Sequence, residues 1–244
     1  MRTLRGSALI GTFLAVVLVS AAAQHAVAGD GAAGPTGQLT GRVTAGEGVS
    51  APAPLSVAID DWVCGKDGSI ADPSLVIGPT GGISDVVVTV EVPGAPPMTS
   101  MTPAVIDQHK CVFVPHVTLL APGQELEVRN GDPVLHNFRT ISELNRKVNR
   151  AQIKGASDTF RFENPEILRA ECDVHYWMSA VVVIAPNAFT TVTGSDGTFT
   201  LNDLPAGRYP VRLWHQKLGT RTVEVEVGPG GGRLETAWSA DNAG

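Results

Sequence analysis

The sequence is short of several things, and each shortage excludes a class of protein. It has three cysteines, six histidines and few aromatics, namely seven Phe, four Trp and two Tyr. After the first 28 residues no stretch is apolar enough to cross a bilayer, so no membrane span is expected in the mature form. Positive charge is scarce, with 18 Lys and Arg against 24 Asp and Glu. That balance argues against nucleic acid as the main partner. Helical periodicity is nearly absent beyond the N-terminus. No His-x-His pair, Ser-His-Asp arrangement or metalloprotease motif occurs, which speaks against an enzyme.

The first residues read as a secretory signal. Arg2 and Arg5 form a basic start, residues 8–22 are apolar, and Ala26-Val27-Ala28 is a small-residue cleavage site. An uncleaved anchor is the alternative. Cleavage after residue 28 removes two positive charges and no negative ones, moving the formal charge from −6 to −8. A periplasmic or secreted location follows, with roughly 215 residues left for one large or two small domains. Three cysteines leave one over after any disulfide. We assign the bond to Cys64 and Cys111, which an oxidising compartment permits, and leave Cys172 as a free thiolate. Pairing Cys172 instead would remove its use as a ligand.

Short β-rich runs separated by turn residues predict an all-β protein. Residues 38–44 alternate, and residues 84–92 form a strong strand. Residues 93–103, rich in proline, read as a linker. Residues 110–120 are expected as one strand around Val112, Phe113 and Val114. After the Pro122-Gly123 turn comes a strand at 125–129, ending at Asn130-Gly131-Asp132-Pro133. Residues 141–158 read as a long polar excursion, followed by strands at 160–162, 167–170 and 181–184. The last part is the most regular. Phe199 and Leu201 alternate with threonines after a Ser195-Asp196-Gly197 turn, and Tyr209, Val211 and Leu213 alternate after Pro205-Ala206-Gly207. Residues 222–227 are expected as the final strand and 228–232 as a flexible tail.

One stretch carries chemistry. Cys172-Asp173-Val174-His175-Tyr176-Trp177-Met178 sets a thiolate, an imidazole and a thioether at C-x2-H-x2-M spacing. These ligand types select copper, with the thioether as a weak axial ligand. His136, 36 positions upstream, supplies a second imidazole. A zinc site is the competing reading, but zinc takes four good N, S or O ligands and thioether is a poor one. Met178 could also be ordinary core.

Residues 104–186 resemble plastocyanin and amicyanin, the small cupredoxins. The resemblance runs through Phe113-Val114-Pro115, Glu127 to Asp132, His136-Asn137, Phe162 to Glu166, and the Cys172 loop. It departs at Glu166, where such proteins usually have glycine, and in the long insert before Phe160. It implies a Greek-key β-sandwich over residues 100–187 holding one type 1 copper per chain. His136, Cys172, His175 and Met178 would be the ligands. Asn137 would tie His136 to the ligand loop, and Tyr176 and Trp177 would shield the site or face a partner. The flanks resemble the carboxypeptidase regulatory-like (transthyretin-like) β-sandwich. Residues 36–95 and 188–238 would make one such module, either interrupted by the cupredoxin or as two sequential pieces.

Together these imply an exported protein carrying one electron between redox partners, such as a cytochrome or another copper protein. The alternative is a copper-binding or envelope interaction module with no electron-transfer role. His116 lies near the expected site and is retained as a possible copper residue, though a hydrogen-bonded strand histidine is the simpler reading. His109 and His215 are not ligand candidates. Residues 139–161 carry a net charge of +4, either a solvated loop or a patch that steers an acidic partner.

Overall fold

The structure is a computed structural model, and it describes residues 34–65 and 68–239. The expected signal segment lies outside the described residues. Within them the chain is almost entirely β. It opens with β1 (Thr36–Ala45), β2 (Leu55–Ser56), the short helix α1 (Asp61–Cys64), β3 (Ser69–Ile70) and β4 (Val87–Val90). The middle is β5 (Ala104–His109), β6 (Val112–Val114), β7 (Val117–Leu120), β8 (Leu126–Asn130), β9 (His136–Ile141), β10 (Asn149–Gln152), β11 (Ser157–Phe160), β12 (Glu166–Glu171) and β13 (Ser179–Ile184). The last part is β14 (Thr190–Val192), β15 (Thr198–Pro205), β16 (Gly207–His215), β17 (Gly219–Val227) and β18 (Gly232–Trp238).

The middle strands pair among themselves. One sheet runs β10-β9-β12-β13-β7 and the other β11-β8-β5-β6. Alternate residues from both sheets meet in one core. Ile106, Phe113, Leu126 and Val128 come from one side, and Phe138, Leu168, Val182 and Ile184 from the other. Phe138 sits at its centre, edge-on to Phe113 and stacked on Phe160. The outer strands pair with one another across the middle segment. Strand β1 lies between β15 and β18, and β4 between β14 and β16, with β17 at the edge. These two sheets enclose a second core of Leu39, Val43, Val88, Val211, Leu213 and Trp238 among others.

A valine seam joins the two sandwiches. In β13, Val182 and Ile184 face the first core while Val181 and Val183 face outward. In β4, Val88 and Val90 face the second core and Val87 meets the outward valines. A strand buried on both faces reads as a continuous apolar run rather than an alternating one. That explains Val86-Val87-Val88 and Val181-Val182-Val183 in the sequence.

Three expectations change. Residues 110–120 are not one strand. Lys110 and Cys111 form a turn with positive φ, and β6 and β7 belong to different sheets, parted by Pro115. Proline has no N–H for a ladder, so the chain leaves one sheet there and joins the other. The excursion at 141–158 contains β10, which pairs antiparallel with β9. It was invisible because it is an exposed edge strand with only Gln152 buried. The expected tail at 228–232 is a turn around Gly231 leading into β18, which runs parallel to β1 and buries Trp238 completely.

Candidate metal centre

The site is built at one end of the first sandwich. Strand β8 ends at Asn130, whose side chain locks the following turn. Its Oδ1 accepts from the Asp132 N–H at 2.9 Å, and its Nδ2 donates to the Val134 and Gln152 carbonyls, both at 2.8 Å. This turn starts β9 on His136. Across the sheet, β12 ends just before Cys172. Residues 172–178 form a tight loop closed by Met178 N–H to the His175 carbonyl at 2.8 Å and Cys172 N–H to the Met178 carbonyl at 3.2 Å. Strand β13 then begins, so rigid strands hold both ends of the loop.

His136, Cys172 and His175 converge. The His136 and His175 Nδ1 atoms are 2.9 Å apart, and the Cys172 Sγ lies 4.0 and 3.9 Å from them. All three side chains are buried. Each imidazole turns its outer nitrogen to a carboxylate. His136 Nε2 is 2.9 Å from Asp132 Oδ2, and His175 Nε2 is 3.1 Å from Asp60 Oδ2. An ionised carboxylate only accepts, so these contacts assign the proton of each neutral ring to Nε2. Both Nδ1 lone pairs then point inward, at each other and at the sulfur. Three electron pairs converging among buried side chains repel unless a proton or a cation lies among them.

The donor set fits a metal ion. Metal–nitrogen and metal–sulfur bonds of about 2.0 and 2.3 Å place donors of one ion about 3–4 Å apart, the range of the three separations here. Thiolate and two imidazoles suit copper or zinc, and a thioether would favour copper. Met178 is fully buried in the same core as Cys172.

The supporting groups act on charge. Burial works to raise the Cys172 pKa. It is outweighed by contacts with His136 and His175 and by the N–H groups of Asn137 and His175 on the sulfur at 3.4 and 3.5 Å, so the thiol falls to about 6. Burial likewise opposes protonation of His136, but Asp132 and Cys172 outweigh it and raise its pKa. The Asp132 carboxyl is pushed up by burial and held below its usual range by His136 and by the Cys111 and Lys110 N–H groups.

Asn137 joins the strand to the loop. Its Oδ1 accepts from the Asp173 N–H at 2.5 Å, and its Nδ2 donates to Asp173 Oδ2 at 3.0 Å and Asn149 Oδ1 at 2.9 Å. Trp177 is buried beside His175, with ring centroids 5.2 Å apart, and its Nε1 donates to the Cys111 carbonyl. Tyr176 is 72% exposed and lies edge-on to Trp177. A file of rings therefore leads from the surface to His175. Cys64 and Cys111 are bonded to each other, and Cys172 is free.

His116 is in none of the close groups of candidate ligands among the described residues. It is buried against Gln216, and burial lowers its pKa. His215 is buried and lowered to about 4 by burial, with repulsion from His116 added. Of the six cations at 139–161, three are paired: Arg139 with Glu171 and Asp173, Arg150 with Asp158, and Arg161 with Glu125.

Sequence reasoning missed the two carboxylates. Asp132 had a faint signal, four residues before His136 in a turn motif. Asp60 is 115 positions from His175 and had none.

No protein-family model matches the chain. No curated protein matches it either. Among the described residues no helix is long and apolar enough to cross a membrane. Solved structures similar to part of the chain include cupredoxins. A Cu-containing nitrite reductase (NirK) from Thermus scotoductus SA-01 is 19% identical over 40% of this chain and 28% of its own, with a TM-score of 0.33. A purple cupredoxin from Nitrosopumilus maritimus is 19% identical over 34% of this chain and 99% of its own, with a TM-score of 0.30. Amicyanin from Paracoccus versutus (Thiobacillus versutus) is 14% identical over 40% of this chain and 97% of its own, with a TM-score of 0.32.

Proposed function

We propose that this chain binds one copper ion in a mononuclear type 1 site and carries single electrons between redox partners outside the cytoplasm. His136, Cys172 and His175 would hold the ion, with Met178 as a weaker fourth ligand. The observation that carries this reading is the convergence of two imidazole Nδ1 atoms on one thiolate sulfur, with both outer nitrogens committed to carboxylates.

Copper in such a set changes oxidation state with little rearrangement. The chain supplies the rest. Asn137 and the backbone N–H groups on Sγ fix the thiolate. The two sandwich sheets hold the ligands at set separations, and burial excludes water. Trp177 and Tyr176 give partners an approach to His175. The disulfide fits an oxidising periplasmic or extracellular compartment. We read the protein as a carrier rather than an enzyme. The outer sheets form a regulatory-like module drawn from residues 36–95 and 188–238, apart from the β2–α1–β3 segment, into which the cupredoxin of residues 100–187 is inserted. The pairing of β1 and β4 with β14 to β18 supports that division.

A second reading, copper held by a binding module without electron transfer, is favoured by the complete burial of both imidazoles. Anaerobic Cu(II) titration with visible absorption and EPR tests both. An intense thiolate-to-copper band at one copper per chain, bleached by ascorbate and lost in H136A, is expected. Colourless protein would remove Cys172 as a ligand. A band with very slow self-exchange would favour the binding module.

A further inference from the structure

The segment between β1 and β4 does not stay with the outer sheets. Residues 55–65 and 68–70 form a small flap of β2, α1 and β3, with Leu55 paired to Ile70. Leu55, Val57, Val63, Cys64 and Ile70 pack into the core that holds Cys172 and Trp177. Cys64 is bonded to Cys111, in the turn between β5 and β6. Ligand-type atoms of Cys64, Cys111 and His175 lie within 4.8 Å of one another. The bond therefore pins the flap directly beside the site.

Asp60 is the flap's point of contact. It occupies the N-cap position of α1, where an aspartate ordinarily accepts from the helix's first N–H groups. Here it makes no such bond, its φ is 52°, and its carboxylate goes to His175 Nε2 instead. Its neighbours Ile59 and Trp62 are exposed on the flap. The outer edge of His175 is thus closed by a residue from a distant part of the chain.

We propose that residues 55–65 and 68–70 are a disulfide-latched cap on the metal site, acting through Asp60, which orients His175, closes its outer edge and lowers the site's reduction potential. The inference rests on the copper reading above. The physical basis is simple: a carboxylate on the far nitrogen of a ligand imidazole fixes the ring and makes it a stronger donor, which favours the more highly charged ion. Asp60 is a positioning residue, since it touches the ligand and not the metal.

The test uses the full mature chain with D60A, D60N and C64S/C111S. Two quantities are read: the reduction potential of the copper-loaded protein, and the rate at which iodoacetamide alkylates Cys172 in metal-free protein. Cys172 is the only free thiol in each. In D60A and D60N the Cu(II)-to-Cu(I) affinity ratio should fall about tenfold, a rise of 59 mV for one electron. In C64S/C111S, alkylation should speed at least tenfold. D60N keeps an acceptor of the same shape and should stay alkylated at the parental rate, which separates charge from closure and guards against simple misfolding. A parent with the thiolate band whose potential is matched by both Asp60 variants would overturn the cap. A parent without that band would instead sink the copper reading. In that case parental alkylation of C64S/C111S would overturn the cap as well.

Discussion

At the scale of single residues, the site depends on side chains whose task is to hold other side chains. Asn137 shows this best. It is buried, it makes three side-chain hydrogen bonds, and it ties the start of β9 to Asp173 in the Cys172 loop. Replacing it strands the Asp173 N–H in a half-buried position. N137A should therefore cost about 1–3 kcal/mol, the range for unmaking bonds to a buried polar group. Urea unfolding of the metal-free protein measures this, and an unchanged midpoint would show that the loop holds itself. The Cys-x2-His-x2-Met pattern was legible in the sequence because Cys172, His175 and Met178 are close in the chain. The carboxylates behind the imidazoles were not, since hydrogen-bond partners are chosen by space and Asp60 reaches His175 from 115 positions away.

At the scale of elements, the long insert before Phe160 has a structural explanation in Glu166. Its carboxylate accepts from the Ser142 hydroxyl at 2.7 Å, the Glu143 N–H at 2.6 Å and the Asn145 side chain at 2.9 Å. Burial alone would raise its pKa, but these donors carry it down to about 2. Glu166 therefore folds the first turn of the polar excursion back onto β12. E166A should leave the Cys172 loop intact and free that turn. Hydrogen exchange should show the Glu143 amide losing about tenfold or more of its protection, near the energy of one hydrogen bond. Unchanged protection would mean that Asn145, which also bonds Asn164 and the Glu163 N–H, suffices. Strand positions were legible where one face is apolar. They were lost at β10, whose face is solvent, and at Pro115, where one apolar run crosses between sheets.

At the scale of the whole molecule, two effects can be measured. The first is the valine seam. Val87 and Val183 come from different sandwiches and share one buried cluster. Each change to alanine should cost about 2 kcal/mol for the apolar groups removed. A double-mutant cycle should give a coupling above about 0.5 kcal/mol, whereas additivity would mean that the sandwiches are energetically separate. The second is a pair of opposed titrations near the second core. Asp85 is raised to about 6, by burial against a smaller opposing Ser84 bond. Its folded pKa exceeds the unfolded one, so its contribution is complete below pH 4 or so and is lost as pH rises through about 6. His215, lowered to about 4, is the reverse case. Its contribution is complete above about pH 6.5 and is lost as pH falls through about 4. The two partly cancel in the parent. D85N, placed where φ is 64° and asparagine is tolerated, should make stability fall more steeply on acidification. H215Q should make it fall less steeply. Melting temperatures from pH 3.5 to 7.5 would show this, and parallel curves for all three proteins would refute it.

The sequence by itself determined the all-β class and the spacing of Cys172, His175 and Met178 within one loop. Both are local properties, set by side-chain alternation along a strand and by spacing within one loop. The valine runs were legible as strands, but that both of their faces are covered came only from the structure. Tertiary structure decided the rest. It carried β1 and β4 across the middle segment to pair with β14 to β18. It brought His136 within 2.9 Å of His175. It set Asp132 and Asp60 behind the imidazoles and pinned the flap beside the site through Cys64 and Cys111. The reason is physical: strand pairing and burial act on distance in space, and a chain folded into two packed sandwiches makes neighbours of residues more than a hundred positions apart.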